Sequence, residues 1–190
     1  MERENPMSGK EERIVPSPED KGVYLFMSEV SQETCKDLIS FILTKSWSSP
    51  RPKSLQIIIN SPGGDLSAAF AVIDIMKGCP IPVHTTGLGQ IASAGFMIFI
   101  AGEKGHRTLT PNTSIMSHQF SWGSWGKEHE LVAVGREFEL TTERMMNHYK
   151  KCTGLNEKQI RQYLLPATDV WLSAKEAKKL GICDSVKDIK

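Results

Sequence analysis

Long apolar runs are missing from this chain. No stretch of about 18 residues is apolar enough to span a membrane. The first 21 residues, Met1 to Lys21, are charged and proline-bearing, without the apolar centre of a signal peptide. They read as a flexible N-terminal arm. Charge of one sign is scarce as well: 23 Lys and Arg against 22 Asp and Glu leave a formal net charge of +1. So small a field does not recruit nucleic acid or an anionic membrane surface, and neither is expected as a partner. Cysteine is sparse. The four residues Cys35, Cys79, Cys152 and Cys183 show no CxxC spacing, which argues against a zinc site and against a disulfide framework. They read as buried free thiols of a reducing compartment, the cytoplasm. What remains, residues 22–190, is long enough to bury the core of one domain without staples.

Strand and helix patterns alternate along it, the signature of an α/β fold. Gly22 to Met27 reads as a short buried strand, and Ser31 as the cap of a helix burying Cys35, Leu38, Ile39 and Ile42. Leu55 to Ile59 is the clearest strand, β-branched and nearly continuous in apolar character. It runs into Asn60-Ser61-Pro62-Gly63-Gly64-Asp65, followed by a helix from about Leu66 to Lys77. Val83 to Gly87 reads as a second strand, Phe96 to Ala101 as a buried helix, and His106 to Leu109 and Ser114 to His118 as strands around the Pro111-Asn112 turn. Strand–turn–helix units recurring about every thirty residues, crossing over in one hand, wind into a spiral.

A long helix follows, from about Lys127 to Lys151. Leu131, Val134, Phe138, Met145 and Tyr149 form an apolar stripe on it. At 1.5 Å per residue it is ~36 Å long, close to the width of the domain, so it is expected to project and to need a partner subunit for its stripe. A short helix through Tyr163, the segment Val170-Trp171-Leu172, a capping-box helix from Ser173 and a last strand from Ile182 to Val186 complete the chain.

The stretch Gly89-Gln90-Ile91-Ala92-Ser93-Ala94-Gly95 places a serine between small residues and an apolar helix. Ser93 there is either a plain N-cap or a nucleophile facing the N–H groups of the first helical turn, led by Ala94. The Gly63-Gly64 pair is either a turn or a second backbone donor of an oxyanion hole. A nucleophilic serine needs a base and a group that orients it. Of five histidines, His129 and His148 sit on the charged long helix and read as exposed, His106 lies beside Lys104 and Arg107 and reads as surface, and His84 reads as a satisfied core residue. His118 ends a strand where α/β sheets present ligand groups. For the acid, Asp65 and Asp74 belong to the first glycine-preceded helix, whereas Asp169 stands in an uncharged stretch as a cap or a specific partner. The G-x-S-x-G elbow of ordinary α/β-hydrolases is only half matched, with Ile91 in place of its first glycine, and the order Ser, His, Asp differs from theirs.

Ile59-Asn60-Ser61-Pro62-Gly63-Gly64, Gly89 to Gly95, Pro111-Asn112 leading to Met116-Ser117-His118-Gln119, and Asp169 to Ala177 resemble the ClpP family, the serine peptidase subunits of ATP-dependent caseinolytic proteases. The resemblance spans about Gly22 to Val186. It implies a spiral of ββα units shared with the crotonases and a projecting "handle" helix. It implies Ser93 as nucleophile, His118 as general base and acid, and Asp169 as orienting carboxylate. Gly64 and Ala94 would form the oxyanion hole, and Phe120, Trp122 and Gly123 would line the substrate groove. No metal or organic cofactor is implied. Stacked heptameric rings, fed by an AAA+ unfoldase of the ClpX or ClpA type, are.

Three features depart from the family's pattern. Ala167 and Thr168 replace the acidic residue and arginine that usually precede the catalytic aspartate. Phe120-Ser121-Trp122-Gly123-Ser124-Trp125-Gly126 replaces a proline and a glycine-rich strand, and Met1 to Lys21 lacks the tyrosine-bearing axial segment. Two other classes compete with a peptidase: a catalytically idle ring subunit, and a crotonase-type acyl-CoA lyase. The latter shares the backbone oxyanion hole but has no need of the serine, histidine and aspartate together.

Overall fold

The computed structural model describes residues 15–121 and 123–189. The first fourteen residues of the expected arm, and Trp122, lie outside them. The end of the arm forms a 3-10 turn, Glu19–Lys21, closed by Gly22 in the left-handed region.

Five parallel strands make the main sheet, in the order β1 (Val23–Phe26), β2 (Leu55–Ser61), β3 (Val83–Ala92), β4 (Arg107–Leu109) and β7 (Ser185–Val186). β2 buries Leu55, Ile57, Ile59 and Ser61 on one face and half-buries the residues between them, a period-2 pattern that packs one face into the core. The crossover helices α1 (Gln32–Trp47) and α2 (Leu66–Gly78) pack on each other. Ser31 caps α1 with Thr34 closing the box.

β3 is longer than the sequence pattern suggests. It does not stop at Gly87 but continues through the glycines to Ala92. Its first half pairs with β4, from Thr85 opposite Arg107 to Gly87 opposite Leu109, and its second half pairs with β5 (Ser114–Ser117), from Gln90 opposite Ser114 to Ala92 opposite Met116. The change of neighbour occurs where Gly89 takes a φ of 59° and the β2–β3 register shifts between Ile59 and Ser61. A bulge there bends the strand. The sheet thus turns along one strand, and β6 (Val170–Ser173) adds antiparallel to β5.

The axis of the core is α3 (Ser93–Ile100), in which every residue from Ala94 to Ile100 is buried. A helix apolar all round belongs in an interior, and α3 has β2, β3, β5, α2 and α4 (Glu128–Thr153) around it. The 26 residues of α4 extend ~39 Å. Its second half is buried from Thr141, through Met145, Met146, His148, Tyr149 and Cys152. The first half stands away from the body, with Leu131, Val132 and Phe138 exposed. Two short helices, α5 (Glu157–Tyr163) and α6 (Ala174–Lys179), flank β6 in sequence. No helix among the described residues is long and apolar enough to cross a membrane.

One surface assignment made from charge, that of His148, is corrected, and the body also holds a buried cation. Arg107 is buried. Its guanidinium meets Asp184 at 2.7 Å and donates to the carbonyls of Cys152, at 2.7 Å, and Gly181, at 3.2 Å. His148, expected in solvent, is buried between α4 and α3 and bonds the Met97 carbonyl at 2.9 Å. That acceptor requires Nε2 to carry the proton. His84 is half-buried rather than core and stacks on exposed His106, ring centroids 3.9 Å apart. Cys35, Cys79, Cys152 and Cys183 are all free thiols.

Candidate active site

β3 delivers the chain in extended form as far as Ala92, Ser93 turns it with a φ of 50°, and α3 begins at once. A non-glycine residue in the left-handed region carries local strain, so the surroundings must hold it. They are close. A Cβ on Gly63 would lie 2.7 Å from Ser93 Cβ, and one on Gly95 would lie 2.7 Å from Ser61 Cβ. These two glycines let the turn after β2 and the head of α3 press together around Ser93.

Gly64, at a φ of 145°, pairs with Val30 in a parallel bridge: Val30 N–H donates to Gly63 O, and Asp65 N–H donates to Val30 O, both at 2.8 Å. In a parallel bridge the central residue's own N–H points away from its partner, so the Gly64 N–H is turned from Val30. The Ala94 N–H belongs to the first turn of α3, where backbone donors have no intrahelical acceptor. Asp65 is occupied elsewhere. It caps α2 through Ser67 N–H at 2.7 Å and Ala68 N–H at 3.1 Å, and the Ser67 hydroxyl leads the bonds that hold its carboxyl below the usual range.

His118 follows β5 directly. Its Nε2 lies 2.9 Å from Ser93 Oγ, and its Nδ1 lies 3.4 Å from Asp169 Oδ1. The antiparallel register explains this meeting: Ser114 opposes Ser173, and Ser117 opposes Val170, so His118 and Asp169 are the next residues beyond the end of the ladder. Residues on both sides of the histidine are tied to one segment. The Ser117 hydroxyl donates to Leu164 O and lies 3.4 Å from Tyr149 OH, while Gln119 Nε2 donates to Leu165 O at 3.3 Å. Since the serine proton goes to the carbonyl, the tyrosine donates to the serine. Complete burial pushes the Tyr149 phenol up to about 12.

Ser93 and His118 open into a groove of about 620 Å³. Pro62, Leu66, Phe70, Met116 and Phe120 give it apolar walls, and Glu137, Thr141 and Arg144 of α4 form another side. Gly123 is exposed and is not among the lining residues, and Trp122 falls outside the described residues. The α4 contribution was not singled out from the sequence, although spacings of four and three put Glu137, Thr141 and Arg144 on one helix face. Ser117 and Gln119 stand in the histidine motif, but their bonds are not legible in the sequence because their partners lie more than forty residues later. Among the described residues no group of three or more His, Cys, Asp or Glu is placed to hold a metal ion.

A spiral α/β chain, with a serine on a strand-to-helix turn facing a histidine across a groove, defines the class. The chain belongs to the Clp protease family, a family of peptidases, whose model matches residues 18–190. It is 34% identical over 159 residues to ATP-dependent Clp protease proteolytic subunit 1 of Corynebacterium jeikeium, covering 84% of this chain and 83% of the relative. Subunit 2 of Corynebacterium glutamicum is also 34% identical over 159 residues, 84% of this chain and 78% of the relative. Subunit 2 of Corynebacterium diphtheriae is 33% identical with the same coverage.

Proposed function

We propose that the protein is a serine endopeptidase subunit, with Ser93, His118 and Asp169 as its triad. The observation that carries this reading is the 2.9 Å separation of Ser93 Oγ and His118 Nε2, a distance at which the ring can take the hydroxyl proton. Ser93 Oγ attacks a peptide carbonyl as His118 accepts that proton. The tetrahedral oxyanion lies against the Gly64 and Ala94 N–H groups, at the positive end of α3. His118 then protonates the leaving amine, and Asp169 holds the ring so that Nδ1–H faces it. Water repeats the cycle on the acyl-enzyme and frees Ser93.

The projecting half of α4, with its exposed Leu131, Val132 and Phe138, supports assembly of like subunits. Kinship to proteins named as proteolytic subunits of ATP-dependent proteases supports rings enclosing the sites, heptameric and fed by an AAA+ unfoldase. Enclosure restricts the enzyme to unfolded chains. A cytoplasmic setting fits the free thiols. A second reading, an idle ring subunit, draws on one observation: Asp169 is 59% exposed and 3.4 Å from the ring.

Incubation with a fluorophosphonate decides between them. The active protein is labelled at Ser93, cleaves an unfolded substrate, and loses both properties in Ser93→Ala. An unlabelled wild type supports the idle subunit.

A further inference from the structure

Resting on the peptidase reading, the geometry points to the Glu137–Arg144 pair as a specificity device: it selects a substrate side chain that is long, neutral and amide-tipped, glutamine above all.

The groove that holds Ser93 is apolar along the α2 and β5 sides, where Leu66, Phe70 and Met116 line it. That suits the methylene stem of a side chain. On the α4 side the chemistry changes. Arg144 Nη2 donates to Glu137 Oε1 and to Thr141 Oγ1 at 2.8 Å, and Thr141 Oγ1 donates to Glu137 Oε1 at 3.1 Å. The Arg144 guanidinium also lies over the Phe70 ring, 5.0 Å from its centroid. Four contacts thus fix a cation and an anion side by side, each about half exposed, on the wall of the groove.

A substrate side chain filling this space displaces water from the pair, and its chemistry decides the outcome. A carboxamide offers an acceptor to the guanidinium and a donor to the carboxylate, so both charges keep a partner and the pair stays whole. A substrate carboxylate gains Arg144 but meets Glu137 as a like charge. A lysine gains Glu137 and meets Arg144. Asp65 adds a further negative charge to the lining, so acidic substrates fare worst. Leucine or phenylalanine satisfies the apolar wall and returns no bond to the charges it dehydrates. Roughly tenfold discrimination is expected at a half-exposed pair, far less than at a fully buried one.

The test uses fluorogenic peptides identical except at the residue whose carbonyl Ser93 attacks: glutamine, leucine, glutamate or lysine. Each is read as a ratio of kcat/KM values within one preparation, which cancels any difference in folded fraction. Wild type is expected to favour glutamine about tenfold over glutamate and severalfold over leucine. In the double variant E137L/R144M leucine is expected to overtake glutamine, and in Arg144→Gln the penalty on glutamate is expected to deepen. The inference is overturned if wild type prefers leucine, or if the glutamine-to-leucine ratio is the same in the double variant. Fluorophosphonate labelling separates the two levels: a labelled Ser93 with unaltered peptide ranking removes this inference alone, whereas an unlabelled, inert protein removes the peptidase reading with it.

Discussion

His118 and Asp169 face one another just past the last paired residues of an antiparallel ladder, Ser117 and Val170, with Nδ1 and Oδ1 3.4 Å apart. Strand register therefore brings together two residues 51 positions apart in the chain. The carboxylate is wet, 59% exposed, and water and salt weaken what it contributes. Asp169→Asn is expected to lower kcat/KM by about 10²–10³, less than the ~10⁴ seen for a buried triad carboxylate. Steady-state kinetics of the variant beside Ser93→Ala check this. A loss as deep as that of the serine variant would show that the carboxylate is sheltered in the working enzyme.

Ser117 joins the buried half of α4 to the strand that presents His118. Ser117→Ala leaves the Leu164 carbonyl and the Tyr149 hydroxyl without this bond in the interior, at an expected cost of about 1–3 kcal/mol. For a domain of this size ~2 kcal/mol corresponds to a fall of roughly 4–8 °C in Tm. Tyr149→Phe removes only the second contact and should cost less. Calorimetry on both variants orders them, and equal Tm values for Ser117→Ala and wild type would count against the link.

His148 makes stability depend on acid. Burial leads the causes that pull its pKa down from 6.5 to about 4. Between those values the unfolded chain binds a proton that the folded chain does not, so stability rises with pH through this window. It is complete above about 6.5 and lost on acidification towards 4, by up to about 3 kcal/mol. His148→Gln keeps a donor for Met97 O and removes the titration. Urea unfolding of both proteins from pH 4.5 to 7.5 should give a visibly flatter profile for the variant. Parallel profiles would place the acid sensitivity elsewhere.

Phe138 is 44% exposed on the projecting half of α4 and packs beside Phe120, ring centroids 5.1 Å apart. Phe138→Glu puts a charge into the face proposed to join subunits, and a smaller assembly is expected by sedimentation velocity. An unchanged sedimentation coefficient would mean that the helix meets its partners through another face.

Much of this architecture was legible beforehand because local chemistry and tertiary role agree. Ser31 with Thr34, Asp65 after paired glycines, and Ser173 with Glu176 cap the helices they announce. The limits have physical causes. Gly87 and Gly89 look like the end of a strand, yet the sheet uses their freedom to change neighbours within β3. His148 follows Met145 by three and precedes Cys152 by four, a buried spacing masked by the lysines and glutamates around it. The burial of Arg107 is not legible locally, because the aspartate that accommodates it comes 77 residues later. Of the proposed site, the motifs marked Ser93, Gly64, His118 and Asp169, but a motif carries no information about what else faces the groove. The pair on α4 became visible only once the helix was laid against α2 and β5.

That late aspartate has a further effect. Burial alone would raise the Asp184 carboxyl, yet bonds from the Arg107 side chain and backbone, and from Gly105, hold it below its usual range. The same guanidinium grips the carbonyls of Cys152 and Gly181. Gly181 and Asp184, just before β7, are thereby latched to the buried end of α4 and to the start of β4 through one positive charge. Removing the Asp184 carboxylate would strand that cation in a dry interior, so this one residue acts as a fastener between α4, β4 and β7.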